Sequence, residues 1–159
     1  MRDLGAQSSP NNAFLLNLGL ETLAIRMERH CSNAVAVAIH LEHHDKIAWV
    51  NYPGLKSSKY YALAQKYMPG GTCGVVSFGV KGGREAASKF MEGLKLASIV
   101  THVADLRTCV LHPASTTHRQ LSDEQLAEAG IGPDMIRMSV GIENAEDIIE
   151  DIEQALSNL

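Results

Sequence analysis

Arg137 is the residue whose surroundings in the sequence most favour binding chemistry. It stands between Ile136 and Met138 in the run 135–142, whose alternation of apolar and other side chains predicts a β-strand. A guanidinium is a planar fork of N–H donors that matches a carboxylate at two points. The pattern leaves two interpretations open: Arg137 binds a carboxylate, or it points to solvent from an exposed face of the sheet.

The segment 112–118 concentrates two histidines and three hydroxyl side chains in seven residues: His112-Pro113-Ala114-Ser115-Thr116-Thr117-His118. A metal site there would need a third ligand, for which His102 is the obvious candidate. The spacing matches no zinc-binding pattern, so we predict no metal site. We expect instead a hydrogen-bonded loop that shapes a pocket, with His112 or His118 donating to backbone carbonyls.

Other catalytic motifs are absent from the sequence. It contains no nucleophile elbow, no Walker loop and no dinucleotide fingerprint. The spacing of the serines, histidines and aspartates supports no catalytic triad. Cys31, Cys73 and Cys109 are odd in number and form no CxxC pair, so we expect three reduced thiols.

The elements that must position these residues follow from hydrophobic periodicity, capping signals and turns. The patterns predict a long helix over 12–44, strands over 47–52, 74–80, 108–111 and 135–142, and helices over 60–68, 84–96, after Ser122 and after Asn144. This order predicts an α/β (α+β) fold, with helices on one face of a small, mostly antiparallel sheet. We predict an N-terminal segment with a long connecting helix over 1–44 and a small C-terminal α/β domain over 45–159.

Composition and charge exclude several classes of protein. The formal charge of −4 comes from 14 basic and 18 acidic residues with no basic run, which argues against a general nucleic-acid binder. No stretch reaches the roughly 18 apolar residues of a membrane helix. The N-terminus lacks the pattern of a signal peptide, so we expect a cytoplasmic protein.

Several blocks of the sequence resemble the Cys/Met-metabolism (transsulfuration) family of pyridoxal-phosphate (PLP) enzymes, in the order in which the family carries them. They are Arg2-Asp3-Leu4-Gly5, Asn12-Ala13-Phe14-Leu15-Leu16, Gly19-Leu20-Glu21-Thr22-Leu23, Arg26-Met27-Glu28-Arg29-His30, Trp49-Val50-Asn51-Tyr52-Pro53-Gly54-Leu55, the segment 112–118 and the run 136–143. The resemblance runs nearly end to end and concerns the C-terminal domain. Within the family, Met-Glu-Arg-His and Ser-Thr-Thr-His are most similar to the O-acetylhomoserine sulfhydrylases.

The resemblance implies a function as well as the fold of a fold-type I small domain. It implies a transferase of cysteine and methionine metabolism that replaces acetate by sulfide or a thiol, with Arg137 binding the α-carboxylate of the amino-acid substrate. It also implies substrate contacts from His102, Val103 and Thr117. It implies that PLP is held by an N-terminal domain, so we expect this chain alone to be inactive, not to bind PLP, and to contain no catalytic residue. We also expect a homo-oligomer.

Two departures from the family pattern leave other functions open. The family's cofactor lysine lies upstream of the matching blocks, and we expect all seven lysines to be surface residues: Lys46, Lys56, Lys59, Lys66, Lys81, Lys89 and Lys95. His102 stands where many members carry Ser or Asn, and Ala104 replaces a common Gly. The alternatives are a free-standing domain that binds an amino acid or a partner protein, and part of a methionine γ-lyase or cystathionine enzyme.

Overall fold

A computed structural model describes residue 5 and residues 7–159. Of the family-like blocks, Arg2-Asp3-Leu4 lies outside the described residues. The helices are α1 (Pro10–Glu21), α2 (Leu23–Glu42), α3 (Tyr61–Tyr67), α4 (Gly83–Gly93), α5 (Asp123–Glu128) and α6 (Ala145–Ser157). The strands are β1 (Ile47–Asn51), β2 (Val75–Val80), β3 (Ser98–Ile99), β4 (Cys109–Leu111) and β5 (Met135–Ser139).

The five strands form one sheet in the order β1-β2-β5-β4-β3. The β1–β2, β2–β5 and β4–β5 pairs are antiparallel, and only the short β3–β4 pair among them is parallel. This arrangement confirms the prediction of a small, mostly antiparallel sheet. Arg137 lies in the central strand, opposite Ser77 of β2 and Leu111 of β4.

The core lies on one face of the sheet, under α2, α4 and α6. Alternate residues of β2 and β5 face these helices, since Val76, Phe78, Ile136 and Met138 are fully buried. Phe78 meets Phe90 of α4 edge-to-face, with ring centroids 5.8 Å apart. The other face carries the intervening residues, of which Ser77, Met135 and Arg137 are half-buried.

The prediction of one helix over 12–44 is wrong, because the chain leaves helical geometry at Thr22, where φ is −107° and ψ is 5°. Threonine is a poor helix former, since its β-branch restricts the side chain against the preceding turn. Arg26 stabilises the break: its guanidinium donates to the Gly19 carbonyl and to the Thr22 hydroxyl. α2 then packs on β1, β2 and α6. The domain boundary at residue 44 stays a prediction.

The sequence predicted N-terminal caps for α5 and α6, and only the first is confirmed. Ser122 and Gln125 form the predicted capping box at the start of α5, in which each side chain bonds the other residue's backbone N–H. Asn144 occupies the N-cap position of α6, but its side chain makes no capping bond, so that detail of the prediction is wrong. Glu146 and Asp147 instead place negative charge in the first turn, where it interacts favourably with the positive end of the helix dipole.

Among the described residues, no helix combines the length and apolar character needed to cross a membrane.

Candidate functional site

Arg137 lies on the face of the sheet opposite the helices. Its neighbours Ile136 and Met138 are fully buried in the core, so the alternation of β5 directs the Arg137 side chain to the other face. Nη2 donates a hydrogen bond of 2.9 Å to the Thr101 carbonyl. Nε is buried and has no hydrogen-bond partner within the described part of the chain.

The unpaired Nε–H defines what this arrangement can bind. A buried donor without an acceptor costs about 1–3 kcal/mol, so an acceptor at this position is strongly favoured. Thr101 uses one N–H of the guanidinium and fixes its orientation. Nε and Nη2 form one edge of the fork, and the N–H groups along such an edge match the two oxygens of a carboxylate.

The loop that supplies Thr101 passes over the same face of the sheet. Ala104 lies in it with a φ of +60°, in the left-handed region that disfavours residues with a Cβ. Its N–H donates to the Ser139 hydroxyl at 2.9 Å, which holds the loop on β5. The left-handed conformation explains physically why a glycine at this position would be easier to accommodate.

His102 and Val103 are exposed members of this loop. His102 Nδ1 lies 3.2 Å from Oδ2 of Asp105. Hydrogen bonds from Arg107, and then from His102, hold the pKa of the Asp105 carboxyl well below its usual range. Asp105 is therefore a carboxylate at neutral pH, and it organises the exposed turn.

A cavity of about 220 Å³ lies between α2 and this loop. Met27 and His30 line it from α2, and Val103, Ala104 and Ser139 line it from the loop and β5. His30 is buried, and its Nδ1 donates to the Val140 carbonyl at 2.7 Å. Val103 is thus part of a cavity wall on the same sheet face as Arg137.

Hydrogen bonds of its histidines and hydroxyl groups hold the 112–118 segment in place. His112 is buried; its Nε2 donates to the Pro133 carbonyl at 2.8 Å, as the sequence predicted, and its Nδ1 lies 2.9 Å from the Ser115 hydroxyl. Thr117 is exposed, and its hydroxyl lies 2.9 Å from Nδ1 of His118. The described contacts of Thr117 do not include Arg137, so its predicted role in substrate binding stays a prediction.

Thr101 and Ser139, which position the arginine and its loop, were not predicted from the sequence. Ser139 could have been found, because it lies two residues after Arg137 in a strand and therefore on the same face. Thr101 carries no such signal, since it acts through its backbone carbonyl. The seven lysines are all at least partly exposed, as predicted.

Comparison with solved structures defines the class of protein. Across 98% of its length the chain matches a Campylobacter jejuni protein described as an O-acetylhomoserine (thiol)-lyase, with a TM-score of 0.88 and 44% identity, and it covers 37% of that protein. That crystal structure contains N'-pyridoxyl-lysine-5'-monophosphate. The architecture is that of a part of a fold-type I PLP enzyme.

The chain belongs to the Cys/Met metabolism PLP-dependent enzyme family, whose pattern matches residues 1–157. It is 49% identical to an O-acetyl-L-homoserine sulfhydrylase of Leptospira meyeri and 51% identical to a homocysteine synthase of Schizosaccharomyces pombe. These matches cover 100% and 98% of the chain but 36% of each relative. The chain therefore spans about a third of the length of the curated relatives, in their C-terminal region.

Proposed function

We propose that this chain forms the substrate-carboxylate side of the active site of a PLP-dependent O-acetylhomoserine sulfhydrylase. The observation that carries the proposal is the guanidinium of Arg137, which is held by the Thr101 carbonyl while its buried Nε–H lacks an acceptor among the described residues. The similarity to an O-acetyl-L-homoserine sulfhydrylase and a homocysteine synthase supports the choice of substrate. The proposed reaction replaces the acetate of O-acetylhomoserine by sulfide or a thiol and yields homocysteine or a homologue.

The described residues fit the substrate better than the cofactor. They offer an unsatisfied guanidinium to an amino-acid carboxylate, whereas none of the lysines in this part of the molecule is buried. We propose that a separate N-terminal portion holds PLP, which when bound supplies the electron sink for the reaction. In this arrangement the chain itself contributes no catalytic acid or base.

The contribution of this chain is orientation and exclusion of water. A two-point contact between Arg137 and the α-carboxylate fixes both the position and the rotation of the substrate, which lowers the entropic part of the barrier. Val103 would cover the bound substrate with an apolar wall, and His102 and Thr117 would border it with polar side chains. A closed, dry site strengthens the contact between the guanidinium and the carboxylate.

Arg137→Lys tests the proposal in the complete enzyme, with the PLP-binding portion supplied. Lysine keeps the charge but loses the two-point geometry, so kcat/KM for O-acetylhomoserine should fall by about 30- to 1000-fold, equivalent to about 2–4 kcal/mol. The matched control is Arg119→Lys, since Arg119 is exposed and its side chain makes no hydrogen bond among the described residues. The control should retain normal kinetics.

Thermal melting of the same two variants separates binding from folding. Arg137 lies on the face away from the core, so the melting temperature of Arg137→Lys should stay within about 2 °C of the unmodified chain. Normal kinetics of Arg137→Lys would refute the carboxylate-binding role. A large fall in the melting temperature would show instead that Arg137 acts through stability.

A further inference from the structure

Three side chains with different metal-binding atoms meet beside Arg137. One atom each from His102, Asp105 and Cys109 (an imidazole nitrogen, a carboxylate oxygen and Sγ) lies within 4.8 Å of the other two. Leu111 pairs with Arg137 across the β4–β5 ladder. Cys109 precedes Leu111 by two residues, so it lies on the same sheet face as the arginine.

We propose that His102, Asp105 and Cys109 bind a divalent cation of the zinc type. Zinc is the common biological cation that accepts nitrogen, sulfur and oxygen ligands together, at about 2.0–2.3 Å from each. Ligands around one tetrahedral ion lie at most about 4 Å apart. His102 Nδ1 and Asp105 Oδ2, 3.2 Å apart, already meet this limit, and the separations from the Cys109 sulfur exceed it by at most about 1 Å. Three protein ligands leave a fourth position for water, as in open zinc sites.

The local structure permits this closure. The His102 side chain is 58% exposed and belongs to a loop, so the imidazole can turn without disturbing the core. Without a cation, Nδ1–H donates to Asp105, and cation binding requires the other tautomer, in which the proton is on Nε2 and Nδ1 presents a lone pair. Cys109 is fixed by β4, which gives the site one rigid ligand and two that adjust.

Binding must displace three existing contacts, of which the first is the hydrogen bond of 3.2 Å between His102 and Asp105. The Arg107 guanidinium contacts Asp105 weakly, at 3.4 Å, and is 64% exposed, so it can turn to solvent. The Cys109 thiol lies 3.3 Å from the Arg107 carbonyl. When the cation binds, the sulfur–hydrogen bond breaks, the sulfur–metal bond forms and the proton leaves to solvent. No oxidant or reductant is needed.

Sequence spacing did not predict this site, which contains His102 but neither of the histidines of the 112–118 segment. Cation binding requires neither the substrate nor PLP. Absence of cation binding would therefore leave the proposed role of Arg137 intact. Likewise, carboxylate binding by Arg137 would not by itself support the cation site.

Titration of the 159-residue chain with Co²⁺ tests the site directly. Co²⁺ occupies zinc sites, and coordination by a thiolate produces a charge-transfer band in the near-ultraviolet, which Zn²⁺ should abolish by competition. We expect saturation at one Co²⁺ per chain. Cys109→Ser should lose the band. His102→Ala should weaken Co²⁺ binding by about 100-fold, because even partners outside the ligand set contribute about 10- to 100-fold in affinity.

Matched controls identify the ligands. Cys73→Ser and His43→Ala remove a cysteine and an exposed histidine elsewhere and should leave the titration unchanged. His102→Ala changes an exposed side chain, so it remains informative even if Cys109→Ser fails to fold. The proposal is overturned if the chain gives no thiolate band, or if His102→Ala binds Co²⁺ as tightly as the unmodified chain. Loss of the band in Cys73→Ser alone would also overturn it.

Discussion

Gly141 lies at a crowded junction just after β5, where a side chain has no space. Glu143 accepts hydrogen bonds from the Thr108 backbone N–H at 2.6 Å and from the Thr108 hydroxyl at 3.0 Å. The same hydroxyl accepts the Gly141 N–H at 2.9 Å. A Cβ on Gly141 would meet the Glu143 carboxylate and would lie 2.5 Å from both the Leu106 carbonyl oxygen and the Thr108 nitrogen.

The magnitude of a Gly141→Ala substitution follows from these contacts. Two of the three obstructing atoms belong to the backbone, so the collision cannot be relieved by turning a side chain. Overpacking of this kind costs about 1–3 kcal/mol. Displacement of the Glu143 carboxylate would weaken a charge-assisted hydrogen bond that contributes about 1.5–3 kcal/mol. Together these effects predict a loss of about 3–5 kcal/mol in the free energy of unfolding.

Urea denaturation of the variant and the unmodified chain measures this difference, and thermal melting should show a decrease of about 10 °C. Gly19→Ala is the matched control, because a Cβ on Gly19 meets no atom within 4 Å and the residue lies inside α1. That variant should be neutral or more stable by up to about 1 kcal/mol. A Gly141→Ala chain within about 0.5 kcal/mol of the original would refute the steric reasoning.

Two further substitutions test buried polar groups. Burial raises the pKa of Tyr52 to about 12, so the contribution of its neutral form to stability is present below pH 10 and is lost as the pH rises through 12. The difference in free energy of unfolding between the chain and Tyr52→Phe, measured by urea titration, should therefore shrink between pH 10 and 12. A difference that stays constant over this interval would contradict the prediction. Asp151 accepts hydrogen bonds from the Lys95 and Ala97 N–H groups at 2.8 and 3.0 Å and is 6% exposed. Asp151→Asn should therefore lower the free energy of unfolding by about 1–3 kcal/mol. The control Glu150→Gln changes an exposed neighbour and should have little effect. Equal melting temperatures for these last two variants would show that the buried carboxylate is dispensable.

Much of the fold could be predicted because its signals are local. The alternation around Arg137 and the apolar run that forms β2 each specify a strand, and the capping box at Ser122 specifies a helix start. The break at Thr22 was missed because it depends on Arg26, one turn later, which supplies donors to the freed backbone and hydroxyl groups. Local helix propensity alone cannot predict whether a side chain will supply such hydrogen bonds.

The site was less accessible to prediction, because its geometry depends on contacts between distant parts of the chain. The face occupied by Arg137 follows from strand alternation. The position of the loop over that face depends on the bond between Ala104 and Ser139, 35 residues apart. The meeting of His102 with Cys109 is likewise a product of the folded loop, since no known ligand spacing connects them.

The strand order has a consequence for how the chain folds during synthesis. β5, which begins at Met135, lies at the centre of the sheet, between β2 and β4. The two halves of the sheet are therefore joined only after most of the 159 residues have left the ribosome. Until then β2 presents an unpaired apolar edge, which is an opportunity for aggregation. Closing contacts of such long sequence separation is slow, so early collapse and chaperone binding would compete with productive folding.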